Sequence, residues 1–327
     1  MKTTFFFACA ALVSSVVACG GEPVDAGDED LVSALGPEPA GQATQYPIVL
    51  AHGFLASSGG FGSFHPLVSD ALAADGHIVT RGSVPPFARV SVRAAYLAKD
   101  IDDTLARTGA KKVNLIAHSM GGLDARELVS VLGYGDRVAS VTTIATPHRG
   151  SAVADVALAI VPGQAHEALD AIAHEIGRTY SDVSTDEDVL GALEDLSEAH
   201  ADAFEASHPD DARVFYQSWA GVSSVLAIPN PADVGACEGE LLWHSGHADS
   251  MSAMLVPNAP FVSHGKQSND GLVLVSSAKH GDFRGCVPAD HADEIGFYHG
   301  AVMDKHTGFD VVRFYRNVAF DLAARGY

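Results

Sequence analysis

Leu115-Ile116-Ala117-His118-Ser119-Met120-Gly121-Gly122 is the stretch on which the reading of this chain turns. Val113 to Ala117 forms a short, mostly apolar run that predicts a strand, and Leu123 to Leu132 carries a helical pattern, so Ser119 falls in the turn between the two. A turn this sharp forces the serine into strained backbone geometry. It also requires small residues two positions before and after, which here are Ala117 and Gly121. The helix that follows points its N-terminal amides and the positive end of its dipole at the serine, which favours negative charge developing there. Ser119 therefore reads as a nucleophile on a strand-turn-helix elbow.

The same rhythm continues outward. Ile48-Val49-Leu50-Ala51 is a continuous apolar run ending in His52-Gly53, as a strand buried on both faces would. Helical signal around Pro66 to Ala74 precedes a second strand at His77 to Thr80. Between Val92 and Leu105 the residues Ala94, Leu97, Ala98, Ile101 and Leu105 recur at three- and four-residue steps, and Gly109 stands where that helix should stop. Further strands are expected at Ala139 to Ala145, Val214 to Trp219 and Leu272 to Val275. Strands alternating with helices predict a mostly parallel sheet covered on both faces, with its site at the carboxyl ends of the strands. Residues 153–208 interrupt the alternation with helical pattern alone, as a cap over that site would.

A serine hydroxyl needs an imidazole to take its proton and a carboxylate to orient the imidazole, both expected downstream in the order Ser, Asp, His. Asp270 lies in Ser268-Asn269-Asp270-Gly271-Leu272-Val273, and His291 in Asp290-His291-Ala292-Asp293-Glu294. Asp249 and Asp282 compete for the first role, and His280, His299 and His306 for the second. His118, beside Ser119 in the elbow, is expected to pack next to the site and not to reach its neighbour's hydroxyl. One amide of an oxyanion hole follows from the elbow itself, at Met120.

The ordered motifs YPIVLAHGF, VNLIAHSMGG, ATPHRGS, VFYQSWAG, NDGLV and HADE resemble those of the bacterial triacylglycerol lipases of Pseudomonas and Burkholderia, from about Tyr46 to the C-terminus. The resemblance implies the α/β-hydrolase fold over residues 46–327, with a lid within 153–208 whose apolar stripe would be Ala165, Ala168, Leu169, Ile172, Ala173 and Ile176. It implies Ser119 as nucleophile, Asp270 as orienting acid and His291 as base, and puts the second oxyanion amide at Phe54. It also implies one structural calcium near His291, held by the carboxylates of Asp249 and Asp293 and the backbone carbonyls of Phe297 and Ala301. The substrate would be a lipid ester met at an interface, and a dedicated foldase would be a partner. Shorter-chain carboxylesters or polyesters are the alternative substrates, and a catalytically inactive tethered binding protein the remote one.

Composition limits the other options. Acids outnumber bases 41 to 20 for a net charge of −21, which excludes nucleic acid as a partner and disfavours anionic membranes. With 47% apolar and 19% charged residues the chain has material for a core, and a monomer is expected. Lys2 followed by the apolar run Phe5 to Ala18 reads as a signal peptide over residues 1–18, too short to span a bilayer. Val16-Val17-Ala18-Cys19 resembles a lipobox with Cys19 lipidated at the surface, although the same letters suit ordinary cleavage and secretion. Residues 19–45, rich in Gly, Pro and acids, read as a flexible tether. Once Cys9 and Cys19 are set aside, Cys237 and Cys286 remain as an expected disulfide in an oxidising compartment.

Overall fold

The structure, a computed structural model, describes residues 38–59, 62–160, 183, 187–238, 247–262, 267–297 and 303–327. Among these, strands β1 (Ile48–Ala51), β2 (Val79–Arg81), β3 (Val113–His118), β4 (Val138–Ile144), β5 (Phe215–Gly221) and β6 (Asp282–Val287) form one sheet in the order β2-β1-β3-β4-β5-β6. Every neighbouring pair is parallel. The helices α1 (Pro66–Ala74), α2 (Val90–Thr108), α3 (Met120–Ser130), α4 (Ala152–Ile160), α5 (Val189–Asp195), α6 (Glu198–Ser207) and α7 (Val311–Ala324) surround it.

β1, β3 and β4 are buried along their full length, which is why they lack the polar alternation of a half-exposed strand. Successive side chains feed two cores. Ile48, Leu50, Ile116 and Ile144 pack with Val68 and Leu72 of α1 and Phe314, Val318 and Leu322 of α7. Val49, Ala51, Leu115, Ala117 and Val141 pack with Leu97 and Ile101 of α2 and Ala125 and Leu128 of α3. Each such Leu, Ile or Val removed from water contributes about 1.5–3 kcal/mol. Helix α2 ends as the periodicity predicts, with Gly109 in the left-handed region at φ 71°.

One strand was misplaced by the sequence reading. Leu272 to Val275 is not a strand: Asp270 Oδ1 accepts the amides of both Leu272 and Val273, so a side chain takes the donors a ladder would need. The segment instead closes on itself through a bridge between Asn269 and Leu274 and enters a one-turn helix, Val275–Ala278. The sixth strand is Asp282–Val287, whose first half is charged and partly exposed, a pattern that hides an edge strand.

Cys237 and Cys286 are joined, with Cα atoms 5.4 Å apart, tying the loop after β5 to β6. Helices α5 and α6 are pinned to the body. Arg89 reaches Asp188, Glu194 and Asp195, Arg126 reaches Glu205, and Glu127 bonds His208. The apolar stripe read at 165–176 lies outside the described residues, as do residues 1–37 with the signal peptide and Cys19. Residues 38–45, read as the end of the tether, are docked: Glu38 pairs with Arg316 at 2.7 Å and the Gln45 amide donates to the Tyr327 carbonyl at 2.8 Å. No described helix is long and apolar enough to cross a membrane.

Candidate active site

Ser119 caps the N-terminus of α3 at φ 55° and ψ −131°, the left-handed strain that the elbow sequence predicts. The approach is close on every side. A Cβ at Gly121 would lie 2.5 Å from the carbonyl oxygen of Ala51, one at Gly122 2.1 Å from Thr146 Oγ1, and one at Gly53 2.7 Å from the Cβ of Ser119. Glycine at these positions lets the loop after β1 and the start of α3 meet.

The Ser119 hydroxyl donates to His291 Nε2 at 2.8 Å, and His291 Nδ1 donates to Asp270 Oδ2 at 2.8 Å. All three side chains are buried. Asp270 is itself fixed, since its other oxygen holds the amides of Leu272 at 2.8 Å and Val273 at 2.7 Å, while its carbonyl accepts the amide of His291 at 2.9 Å. The rivals are occupied elsewhere. His280 pairs with Asp210, Asp282 with Arg284 and Arg325, and the His306 ring lies 4.6 Å from that of His247. His299 lies outside the described residues.

Met120 follows Ser119 and Phe54 packs against the Met120 cluster, and neither amide is spent on a turn or cap hydrogen bond among the described residues. Met120 is fully buried in an apolar cluster with Leu123, Ala154 of α4, Ala192 and Leu196 at α5, and Phe204 of α6, with Phe54 packed against it. The cap thus supplies apolar surface directly over the elbow.

His118 bears out its assignment beside the site: its Nε2 lies 3.0 Å from Glu294 Oε2, and its ring is 4.6 Å from that of His291. Burial drives this pair toward neutrality, holding the imidazole well below its usual range and pushing the Glu294 carboxyl well above its own. Glu294 was not singled out from sequence; its position three residues after His291 in an acidic run was the available signal.

Asp249, Asp290 and Asp293 bring carboxylate oxygens within 4.8 Å of one another in a buried group that could hold a metal ion. Asp290 is an addition to the sequence reading, held in place because Oδ1 accepts the amides of Ala292 and Asp293 and Oδ2 that of Ser252. Asp249 Oδ2 is buried with no hydrogen-bond partner among the described residues. Burial, with the fields of Asp290, Asp293 and Asp304, pushes the Asp249 carboxyl up to about 8, an arrangement that a cation would relieve. Ala301 lies outside the described residues.

Between α2 and α3, Arg93 and Asp124 form a fully buried ion pair at 2.9 Å that sequence reading did not single out. An arginine standing one place before Ala94 in the apolar stripe of α2 was the signal. Near it, His52 Nδ1 donates to the Gly53 carbonyl at 3.1 Å and Nε2 accepts from Val84 at 3.4 Å. Burial first, and the charge of Arg93 second, hold this imidazole down to about 3, so it is neutral.

A family model described as the alpha/beta hydrolase fold matches residues 46–184. A triacylglycerol lipase of Vibrio cholerae is 31% identical over 313 residues, covering 86% of this chain and 89% of the relative. One from Burkholderia plantarii is 30% identical over 292 residues, covering 77% and 79%. Among solved structures, Staphylococcus hyicus lipase superposes with a TM-score of 0.61 at 18% identity, over 88% of this chain and 98% of that one. A metagenomic carboxyl esterase does so with a TM-score of 0.60 at 21% identity, over 95% and 81%. These two carry the fold alone.

Proposed function

The chain belongs to the triacylglycerol lipase family of the α/β-hydrolase fold, and from that premise we propose that it hydrolyses lipid carboxylic esters through an acyl intermediate on Ser119. The observation that carries this is the continuous line from Ser119 Oγ through His291 to Asp270, at 2.8 Å for each step. As Ser119 attacks the ester carbonyl, His291 takes its proton on Nε2 while Asp270 holds Nδ1–H and stabilises the imidazolium. The carbonyl oxygen becomes anionic against the amides of Phe54 and Met120. His291 returns the proton to the leaving alcohol, then activates water to release the acid and free Ser119.

Calcium is the cation we assign to Asp249, Asp290 and Asp293, with the Phe297 and Ala301 carbonyls completing the oxygen set, because buried carboxylates suit a hard ion. When bound, it supplies cohesion and no chemistry: Asp293 stands two residues after His291, so the ion fixes the base's loop. Export follows the reading of residues 1–18, with Cys19 lipidated or left as a free thiol after ordinary cleavage behind Ala18, and a dedicated foldase follows from the family resemblance. Mass spectrometry of the mature N-terminus separates a lipidated Cys19 from plain cleavage.

Activity is tested on emulsified triolein and tributyrin against soluble nitrophenyl esters, with a fluorophosphonate label on wild type and Ser119→Ala. Turnover of triolein with label lost in Ser119→Ala is expected. Hydrolysis confined to short soluble esters would make the chain an esterase, and an unlabelled wild type would make it a binding protein.

A further inference from the structure

Two opposite charges with no exposed surface are an expensive way to fill a core, and an apolar pair of the same volume serves stability at least as well. What the Arg93 guanidinium touches gives the pair a use. Nε donates to Asp124 Oδ2 at 2.9 Å, Nη1 to the Pro85 carbonyl at 2.8 Å, and Nη2 to the carbonyls of His52 at 2.7 Å and Gly53 at 3.2 Å. Asp124 rides on α3, in the helix that Ser119 caps. One side chain therefore joins the nucleophile's helix to the loop that follows β1.

The grip on Gly53 matters because of what its carbonyl is bonded to. The Gly53–Phe54 peptide is planar and trans, so fixing its oxygen on the Arg93 side aims the Phe54 N–H the other way. Gly53 is already against the nucleophile, where a Cβ would sit 3.1 Å from Ser119 Oγ, and the imidazole of His52 supplies a second donor to the same oxygen. Stabilisation of an oxyanion depends on donors held at 2.7–3.1 Å before the charge appears, so a small tilt of this peptide weakens it.

Resting on the serine-hydrolase reading above, we propose that Arg93 and Asp124 are positioning residues that lock the Phe54 amide in the oxyanion hole to the helix carrying Ser119. They touch no substrate; they act through the backbone of His52 and Gly53. Arg93 is suited to this where lysine is not, because only a planar fork can meet a carboxylate and three carbonyls from fixed directions.

The test compares Arg93→Leu/Asp124→Ser, which removes both charges together, with Arg93→Lys, rates being expressed per active site titrated by a nitrophenyl phosphonate. The double variant is expected to fold with a lowered melting temperature, because the Pro85 and His52 carbonyls lose their donor, to lose kcat by about 100-fold, and to keep KM within about twofold. Phosphonylation of Ser119 should slow by a similar factor, since the phosphoryl oxygen occupies the same hole. Arg93→Lys should lose about tenfold in kcat at unchanged KM, and it answers the question alone if the double variant does not fold. Wild-type kcat in either variant, or a loss carried by KM, overturns the proposal and leaves a structural ion pair. Failure of the wild type itself to be phosphonylated would instead defeat the hydrolase reading.

Discussion

Ser119 and His291 meet at 2.8 Å, yet the chain secures them by opposite means. Ser119 is held by secondary structure: a fully buried strand, a helix started at once, and glycines that let the loop after β1 close on the start of that helix. The stretch from Asn269 to Gly296 has only short regular elements beside the base. It is shaped by side chains capturing nearby amides, Asp270 on Leu272 and Val273 and Asp290 on Ala292, Asp293 and Ser252, with a disulfide at Cys286. The first region is rigid through packing; the second is rigid only while its carboxylates stay in place.

The strongest way to probe this contrast is to remove each chemical group. Ser119→Ala and His291→Ala should each lower kcat on the order of 10⁶-fold in a nitrophenyl ester assay, with little change in melting temperature. Asp270→Asn should cost about 10⁴-fold, and unlike Ser119→Ala it should also lower the melting temperature, because the same carboxylate shapes the loop. An Asp270→Asn protein as stable as wild type would erase the distinction between the two regions.

Smaller effects separate the two kinds of rigidity. Replacing Cys237 and Cys286 by serine should reduce unfolding free energy by about 4 kcal/mol at most, read by urea titration. Gly121→Ala should cost about 3 kcal/mol, since its methyl would meet backbone that cannot yield, 2.5 Å from the Ala51 oxygen. The most gradual effect is a pH dependence at His52. Its imidazole is held at about 3 in the folded protein against 6.5 unfolded, so its contribution is full above pH 6.5 and drains as pH falls toward 3. The stability deficit of His52→Asn against wild type should therefore shrink below pH 6.5, by as much as about 1.4 kcal/mol per pH unit. A deficit constant between pH 7 and 4.5 would count against a neutral buried ring.

The same contrast explains what could be read beforehand. The elbow, the central strands and the disulfide are local or compositional features, and apolar runs with glycine stops announce them without knowledge of the partner. The edge strand Asp282–Val287 was missed because half of it faces water, and Leu272–Val275 was mistaken for a strand because its β-branched residues conceal a turn written by Asp270. Glu294 and Arg93 acquire their roles from groups far along the chain, such as His118 for Glu294, and Asp290 joins its near neighbour Asp293 to the distant Asp249. Nothing in their immediate neighbours marks those partners, although an arginine inside an apolar stripe and three acids around one histidine are visible warnings.

The stretch of 172 positions between the attacking oxygen and its proton acceptor has a cellular meaning. A nascent chain leaving the ribosome carries Ser119 long before His291 has been synthesised. On the proposed mechanism, an unfinished polypeptide would have no group to deprotonate Ser119, so ester cleavage would wait for the closing segment.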